Sequence, residues 1–516
     1  MRRLLTENQL GLLINIFPTA NHTRYQHSLG VYHAVCEYIL ALYNDSENPI
    51  FKIFYKKDSC EKTILAALLH DIGHSSFGHE LEEVDKEVFS HRKIGKFIIN
   101  NDSSKDTKGR LLSDIIRKSE LDCWGLNVES FLQFLEGKSL IPIEVCLYQC
   151  IDGQLDSDKL DYLKRDSIEC RVKYGNGIDY QKFLRSLSTF VIEKQEVRIE
   201  LAIKKKGAAS AEAFAFARYQ LYQSLYWHHT IRSIKSMYLT SIISVIEGKL
   251  NKDKFNATLF SQESIMYYLY LRFIICLPEN SLESMILLEK DKKLNDLVSK
   301  IEEELQFKCR TDYESGLHDI DKDIQLIYAL AEGHDKILIT DLVNCKYYKR
   351  ILEIPLSDFK ADEWVSLKEK MTGKKRLELQ KNINEGLINM LIKAIQDQSL
   401  IRDSLREDKL SESISLIKAK SYLFLIDLPI RGWSASTDDI NYISDFTRRH
   451  FRDTLNINNE IGHSRIWQEY MGPMMREIAL FRVYCHPDAL DIIRKVCSAN
   501  EIRNCVTGYL PAIKKV

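Results

Sequence analysis

Apolar residues recur at helical spacing over much of this chain, and prolines, which interrupt helices, number only nine in 516 residues. Residues 28–43 carry apolar side chains close to the i, i+3, i+4, i+7 pattern of an amphipathic helix. Residues 64–69 are more uniformly apolar, as expected of a helix that is buried on most sides. Alternation is rarer: residues 190–192 and 197–201 predict a small hairpin, and residues 422–426 predict another strand. We therefore predict a mainly α fold with minor β structure.

The composition argues against several classes of protein. A formal net charge of −1 argues against a constitutive nucleic-acid coat and against binding to an anionic membrane surface. The most apolar stretch, residues 265–277, is broken by Arg272 and is shorter than the roughly 20 residues that a membrane span needs. None of the 12 cysteines falls in a Cys-x-x-Cys pair, and no secretory segment is recognisable. We predict a cytoplasmic protein with reduced thiols and no membrane contact.

Histidines are enriched locally, because seven of the 14 lie within residues 1–91. Successive helix residues point about 100° apart, so the adjacent His70 and Asp71 can share one ion only at a helix end. Gly73 is predicted to end that helix. His27 and Asp158 must then arrive from other helices, which gives a site with positions open for water and substrate. Histidine and aspartate together suit a divalent metal ion such as Mn, Fe, Zn or Mg.

A histidine beside an aspartate is most often a structural pair, so the accompanying motifs decide between a structural and a functional interpretation. Four blocks occur in order: residues 17–31, 70–79, 156–166 and 217–228. On these blocks the chain resembles the HD-domain phosphohydrolases, within the branch of bacterial dGTP triphosphohydrolases and the sterile-alpha-motif-and-HD-domain dNTP triphosphohydrolase. The resemblance implies an HD-domain helical core over about the first 240 residues. Residues 345–350 are similar to a family element that follows this core.

The resemblance also implies the residues of the reaction centre. The metal ligands would be His27, His70, Asp71 and Asp158. His74 and His91 would hold the attacking water and the α-phosphate, and His79, supported by Glu82, would protonate the leaving oxygen. These residue types suit the chemistry, because a metal lowers the pKa of bound water and imidazoles titrate near the working pH. One position departs from the family: Arg92 follows His91, where glutamate is frequent.

The substrate contacts that the resemblance implies are Arg24, Lys159, Tyr162, Asp166, Arg218, Tyr226 and His228. The three cations match phosphate contacts, and the planar fork of arginine binds phosphate oxygens two at a time. Tyr162 matches a phosphate or sugar contact, and Asp166 matches the acceptor of a hydrogen bond from a sugar hydroxyl. Tyr226 and His228 match contacts around the base and the sugar. Alone, each residue would more often be a surface ion pair or a core aromatic, and the order of the blocks favours the binding role.

The implied function is metal-dependent hydrolysis of a deoxynucleoside triphosphate to a deoxynucleoside and tripolyphosphate. One alternative is an HD-type phosphodiesterase or nuclease acting on nucleotides or single-stranded nucleic acid, with Lys204, Lys205 and Lys206 in a basic groove. The other is a nucleotide-sensing, oligomeric regulatory protein. The resembling enzymes form tetramers or hexamers and some are activated by nucleotides, which implies a homo-oligomer and an allosteric nucleotide.

Outside the motifs, the sequence indicates only the broad organisation. We predict a catalytic domain at residues 1–240 and a helical or mixed α+β region at 241–516 with a role in oligomerisation or regulation. Residues 204–210 are predicted to form a solvated loop, and residues 368–381 a polar helix or linker. The segment Cys485-His486-Pro487-Asp488 resembles half of a metal site, but no second Cys/His pair accompanies it, so we predict a structural role.

Overall fold

A computed structural model describes residues 2–5, 7–74, 79–84, 90–100, 112–117, 126–138, 140–193, 197–250, 331, 333–397, 415, 422–429, 441–443, 461–463 and 472–511. The apolar run at 265–277, on which the membrane prediction depends, lies outside these ranges. Within them, no helix is long and apolar enough to cross a membrane.

Helices dominate the described residues. They are α1 Arg24–Tyr43, α2 Ile50–Ile53, α3 Lys57–Leu69, α4 Glu80–Val84, α5 His91–Asn100, α6 Leu112–Arg117, α7 Val128–Leu135, α8 Pro142–Gln149, α9 Ser157–Glu169, α10 Tyr180–Ser186, α11 Ala208–Leu221, α12 His229–Leu250, α13 Gly333–Val343, α14 Ala361–Lys370, α15 Gly373–Asp397, α16 Gly472–Ile478, α17 Leu490–Val496 and α18 Ala499–Thr507. The strands are β1 Leu187–Glu193, β2 Val197–Lys204, β3 Lys349–Pro355, β4 Phe424–Asp427, β5 Asn441–Ile443, β6 Ile461–His463 and β7 Leu480–Cys485. The predicted mainly α fold is confirmed.

The strands form two small sheets. The predicted hairpin is confirmed as β1 and β2, which pair antiparallel with Leu187 opposite Ile203. This hairpin continues through β5 and β6 into a sheet of order β1-β2-β5-β6. The second sheet has the order β3-β7-β4, and its strand β4 coincides with the strand predicted at residues 422–426.

Helix α1 is fixed at its start by a capping box. The Thr23 hydroxyl accepts a hydrogen bond from the Gln26 backbone N–H, and the Gln26 side chain accepts one from the Thr23 N–H. From this point α1 packs against α3 and α9 in a core with α7, α8 and the hairpin. Three elements that carry the sequence motifs therefore lie side by side.

A second hydrophobic core is built from β3, β4, β7 and helices α14, α15, α17 and α18. Helix α12 contacts elements of this second core, namely β3, β4 and α15, and also contacts α4 of the first half. The predicted domain boundary at residue 240 falls inside α12 and stays a prediction. What the packing establishes is a continuous helix between the motif-bearing half and the carboxyl-terminal half.

One of two local expectations differs from the structure, whereas the helix expected at residues 368–381 agrees with it. The predicted solvated loop at 204–210 is wrong: Lys204 ends β2 and is buried, a short 3-10 turn follows, and α11 begins at Ala208. The Lys204 ammonium lies 2.6 Å from Asp45 and 2.8 Å from Glu47, because a buried charge needs partners. Residues 368–381 are mostly helical, in α14 and α15, and Arg376 within them is buried.

Among the residues that the structure describes, no cluster of potential metal ligands includes the segment at 485–488. Cys485 ends β7, and the buried His486 contacts Asp341 at 3.1 Å. The clusters of potential metal ligands found among the described residues lie elsewhere.

Candidate active site

The motif residues His27, His70 and Asp158 converge from three helices. His27 lies in the first turn of α1, His70 caps the carboxyl end of α3, and Asp158 lies in the first turn of α9. Their ligand atoms all lie within 4.8 Å of one another. His27 Nε2 is 2.8 Å from Asp158 Oδ1, and His70 Nε2 is 3.7 Å from the same oxygen. The predicted placement of His70 at a helix end is confirmed.

His27, His70 and Asp158 are called the metal-type group below, and Asp71 lies beside them. Its Oδ2 is 3.9 Å from His27 Nε2 and accepts a 2.8 Å hydrogen bond from Arg24, whereas Oδ1 is 3.3 Å from His70 Nε2. Burial raises the pKa of Asp71, but the neighbouring His70 and Arg24 outweigh it and lower the pKa to about 2. The carboxylate is therefore ionised at neutral pH, as a metal ligand must be.

The group fits a divalent metal ion. His70 Nε2 is buried and has no hydrogen-bond partner among the described residues, while Nδ1 of the same ring lies 2.9 Å from the Ala67 carbonyl oxygen. That contact directs the orphaned nitrogen toward His27 and Asp158. Two imidazole nitrogens and two carboxylates form the mixed N/O donor set that Mn, Fe and Zn accept.

A carboxylate that was not predicted from the sequence contacts the Nδ1 atom of His27. Asp161 Oδ2 lies 2.8 Å from His27 Nδ1, and Arg165 donates 2.8 Å hydrogen bonds to both Asp161 oxygens. Burial lowers the pKa of His27, but hydrogen bonds from its ring to Asp158 and Asp161 raise it well above the ordinary value. The sequence spacing could have indicated Asp161, because Asp158 and Asp161 are three residues apart and share one face of a helix.

Three further histidines form a second group, the histidine trio His74, His79 and His91. The rings of His74 and His91 are stacked with centroids 4.0 Å apart, and the ring of His79 is 4.5 Å from that of His74. Glu82 joins two members: its Oε1 lies 2.6 Å from His91 Nδ1, and its Oε2 lies 3.4 Å from His79 Nδ1. Two members of the trio thus contact a carboxylate whose side chain is only 3% exposed.

The members of the trio differ in their electrostatic setting. Burial, followed by the charge of Arg24, lowers the pKa of His74 well below its ordinary value. Burial, followed by the charge of His79, lowers the pKa of His91 to about 3. His74 and His91 are therefore neutral at physiological pH, whereas the His79 side chain is 52% exposed.

Gly73 does not have the role that the sequence suggested. Helix α3 ends at Leu69, and residues 71–73 form a turn beyond it. A Cβ atom on Gly73 would lie 1.9 Å from the His91 carbonyl oxygen and 2.5 Å from the Gly95 nitrogen. The glycine is needed because the backbone of α5 approaches closely there, which places His91 next to the turn that carries Asp71.

Four of the predicted substrate residues lie together. Asp166 accepts a 2.5 Å hydrogen bond from the Tyr226 hydroxyl, and the Tyr226 ring lies 6.2 Å from that of Tyr162. Arg218 lies over the Tyr222 ring and interacts electrostatically with Tyr162. His22, which was not predicted, contacts Asp166 at 2.8 Å and fixes this carboxylate from the side of α1.

The remaining predicted substrate residues are placed differently. Arg24 is buried and bonded to Asp71, and the Lys159 ammonium lies 2.5 Å from Asp156 and 2.8 Å from the Gly153 carbonyl oxygen. His228 lies just before α12, where burial and the charges of Arg482 and Arg350 lower its pKa. No described contact joins His228 to the Asp166 group.

A cavity of about 230 Å³ runs along the site. Its lining includes His70, Asp71 and Asp158 together with the histidine trio. Residues of α5 and α8, among them Arg92 and Tyr148, also line it. The seven predicted substrate residues are not among the described residues that line this cavity.

Proteins of known sequence match part of the chain. A protein of unknown function from Methanocaldococcus jannaschii is 32% identical over 250 residues, which are 48% of this chain and 45% of that protein. YwfO of Bacillus subtilis, also uncharacterised, is 28% identical over 290 residues, which are 52% of this chain and 59% of that protein. Human deoxynucleoside triphosphate triphosphohydrolase SAMHD1 is 23% identical over 256 residues, which are 46% of this chain and 39% of SAMHD1. The chain thus spans about half the length of the curated relatives it matches.

A solved structure and two family models also match the chain. A phosphohydrolase from Bacteroides thetaiotaomicron has a crystal structure similar to this fold, with a TM-score of 0.51, 19% identity and coverage of 94% of this chain and 92% of that chain. Residues 24–152 match the HD domain, and residues 178–262 match the HD associated region. HD domains bind divalent metal ions, which agrees with the donor set described above. Two stretches of the chain are thus similar, in this order, to the HD domain and to the HD associated region.

Proposed function

We propose that this chain hydrolyses deoxynucleoside triphosphates at the α-phosphorus and releases a deoxynucleoside and tripolyphosphate. The observation that carries the proposal is the convergence of His27, His70 and Asp158 beside Asp71, with the histidine trio along the same cavity. This combination offers a metal-type donor set and several proton-transfer groups within one site. Relatives support the substrate class, because SAMHD1 of Homo sapiens and its Dictyostelium discoideum homologue are named deoxynucleoside triphosphate triphosphohydrolases.

The reaction adds water across the bond between the α-phosphorus and O5′. A divalent ion, when bound, lowers the pKa of a coordinated water and polarises a phosphoryl oxygen. In the proposal, His74 and His91 hold the attacking water and the α-phosphate. Both rings are neutral at physiological pH, so each can accept one hydrogen bond and donate another.

We assign the proton donor to His79. As the water oxygen bonds to phosphorus, the bond from phosphorus to O5′ breaks and O5′ takes its electron pair. His79 supplies the proton that makes O5′ a hydroxyl, and Glu82 orients the His79 ring from 3.4 Å. A general acid of this kind typically contributes about a hundredfold to ten-thousandfold in rate.

The substrate is held by cations next to the metal-type group. Arg24 uses one nitrogen for Asp71, and its Nε is buried without a hydrogen-bond partner among the described residues, so a donor remains for a phosphate oxygen. Lys159 would exchange its bonds to Asp156 and Gly153 for phosphate oxygens. Arg218 and Tyr162 lie near each other, and Asp166 is held by His22 and Tyr226 as an acceptor for a sugar hydroxyl.

One argument for the nuclease alternative is weakened. Lys204, Lys205 and Lys206 could have formed part of its basic groove, but Lys204 is buried against Asp45, and Lys206 lies 3.0 Å from Glu47. Two of these charges are thus neutralised by carboxylates. Phosphate contacts to nucleic acid need cations that face outward.

We extend the proposal to a homo-oligomer of four or six subunits that a nucleotide activates. Hydrolysis of a dNTP mixture should then exceed the sum of the rates with each dNTP alone. Strictly additive rates would count against activation but not against hydrolysis.

The experiment that tests the proposed function is incubation with a panel of dNTPs and NTPs in the presence of Mn²⁺ or Mg²⁺, with products separated by anion-exchange chromatography. We expect tripolyphosphate from dNTPs and none with Asp71→Ala. Asp358→Ala is the matched control, because Asp358 is ion-paired with Arg503 in the carboxyl-terminal half. Diphosphate, monophosphate or oligonucleotide products from the unaltered protein would contradict the proposal.

A further inference from the structure

Helix α4 is short, yet it carries carboxylates with three different sets of partners. It spans five residues, Glu80–Val84, and directly follows His79. A helix of this length is not stable by itself, so its position depends on tertiary contacts. Glu82 of α4 contacts two members of the histidine trio. Contacts that fix the position of α4 therefore also fix the orientation of these two histidines.

The front of α4 faces the trio through Glu82. Besides its contacts to the His91 and His79 rings, Glu82 Oε1 accepts a 2.8 Å hydrogen bond from the His91 backbone N–H. The side chain therefore positions both the ring and the start of α5. A small displacement of α4 changes the orientation of two of the three histidines at once.

The back of α4 faces the carboxyl-terminal half through Glu80 and Glu83. Glu80 forms an ion pair with Lys235 of α12. Glu83 lies 3.9 Å from Arg376 of α15, and the side chains of these two residues are only 6% and 1% exposed. The two anchors therefore attach α4 to helices outside residues 24–152.

Arg376 belongs to a wider set of buried charges. Its NH2 group donates a 3.0 Å hydrogen bond to the Ile426 carbonyl oxygen and lies 3.8 Å from Asp427 of β4. Asp427 also accepts two 2.7 Å hydrogen bonds from Arg232 of α12. Counting Glu80, Lys235 and Glu83, the set holds three cations and three carboxylates and has no net charge.

Buried ion pairs contribute little net stability, because desolvation offsets their attraction, but removing one partner leaves a costly unpaired charge. Such a set therefore favours one arrangement of the elements that carry it. The Glu83 and Arg376 contact is the only described ion pair between α4 and α15. It links the trio to the carboxyl-terminal half without involving the metal-type group.

We propose that Arg376 is a positioning residue for the hydrolytic reaction: it acts through Glu83 to hold α4, so that Glu82 keeps His79 and His91 aligned. This inference rests on the proposed function. It assigns the carboxyl-terminal half a positioning part in the reaction. A shift of α15 would change the turnover rate while leaving the metal ligands in place.

Four variants of the full chain test the proposal: Arg376→Gln, Arg376→Lys, Glu83→Gln and the double variant Arg376→Gln/Glu83→Gln. We expect Arg376→Gln to lower kcat by about tenfold to a hundredfold, the range that misplacement far from the chemistry can produce. KM and the metal content per subunit should stay within about twofold, since neither substrate cations nor metal ligands are touched. Arg376→Lys should recover part of kcat because it restores a cation. The double variant should recover part of it because no unpaired buried charge remains.

Arg503→Gln is the matched control, because Arg503 is ion-paired with Asp358 in the same half and has no described ion pair with α4. Unchanged kcat in Arg376→Gln would overturn the proposal. So would a parallel fall of kcat, metal content and melting temperature in every variant, because that pattern indicates unfolding and not misalignment.

A second measurement separates this inference from the proposed function. Hydrogen–deuterium exchange of the amides at residues 80–84 reports the opening of α4 whether or not dNTPs are hydrolysed. Faster exchange there in Arg376→Gln and Glu83→Gln, but not in Arg503→Gln, supports the link. Equal exchange in all proteins overturns it, even if dNTP hydrolysis is found.

Discussion

Asp161 should control metal affinity although it is not one of the predicted ligands. Its carboxylate lies between His27 and Arg165: Oδ2 is 2.8 Å from His27 Nδ1 and accepts a 2.8 Å hydrogen bond from Arg165 Nε. Oδ1 accepts a third bond from Arg165 NH2. This arrangement fixes Nδ1 as the protonated nitrogen of His27 and leaves Nε2 as the donor atom for an ion.

Asp161→Asn keeps the shape but removes the charge. If the amide oxygen takes the position of Oδ2, the bonds to His27 and Arg165 Nε survive, but the amide NH2 then faces the NH2 group of Arg165. If the amide is reversed, the bond to His27 is lost. Partners of this kind contribute about tenfold to a hundredfold to metal affinity, which corresponds to about 1.4–2.7 kcal/mol.

The assay is calorimetric titration of the metal-free protein with Mn²⁺, compared with Asp358→Asn as an ion-paired carboxylate distant from the site. We expect a Kd raised about tenfold to a hundredfold for Asp161→Asn and an unchanged Kd for the control. An Asp161→Asn Kd within twofold of the unaltered protein, while Asp158→Asn abolishes binding, would refute the reasoning.

Three further substitutions have definite expected outcomes. Gly30→Ala should weaken Mn²⁺ binding as Asp161→Asn does, because its Cβ would lie 1.9 Å from Asp161 Oδ1, and unchanged affinity would contradict this contact. Gly73→Ala should lower the free energy of unfolding by about 1–3 kcal/mol in urea titrations, whereas Gly177→Ala, with no atom within 4 Å of the added Cβ, should change it little. His91 has a folded-state pKa of about 3, below that of the unfolded chain, so the unfolded state binds more protons as pH falls and stability is lost on acidification. Between pH 6.5 and pH 5 this loss of stability is about 1.6 kcal/mol. Urea titrations of His91→Gln in chelator should lack this loss, and identical pH dependences of the two proteins would refute the assignment.

Much of the site could be predicted because its motifs are local. The His70-Asp71 pair had to lie at a helix end to serve one ion, and α3 does end at Leu69. Helical periodicity predicted α1, and alternation predicted the β1–β2 hairpin. In each case the information is contained within a few residues of chain.

What could not be predicted depends on contacts between distant segments. Gly73 resembles a helix terminator, and only the packing of α5 reveals that it makes room for the His91 backbone. Lys204 looked solvated because its partner Asp45 is 159 residues away. Arg376 lies in a highly charged stretch, and nothing local marks it as the buried partner of Glu83. The role of Asp161 could have been predicted from its spacing to Asp158, but only if the position of His27 had been known.

The most direct test of the central claim is hydrolysis of a dNTP in ¹⁸O-labelled water, with the products examined by mass spectrometry and ³¹P NMR. Attack of water on the α-phosphorus with cleavage of the bond to O5′ predicts one ¹⁸O atom in a terminal phosphate of tripolyphosphate and none in the deoxynucleoside. Label in the deoxynucleoside hydroxyl, or in a nucleoside monophosphate released with diphosphate, would contradict the account.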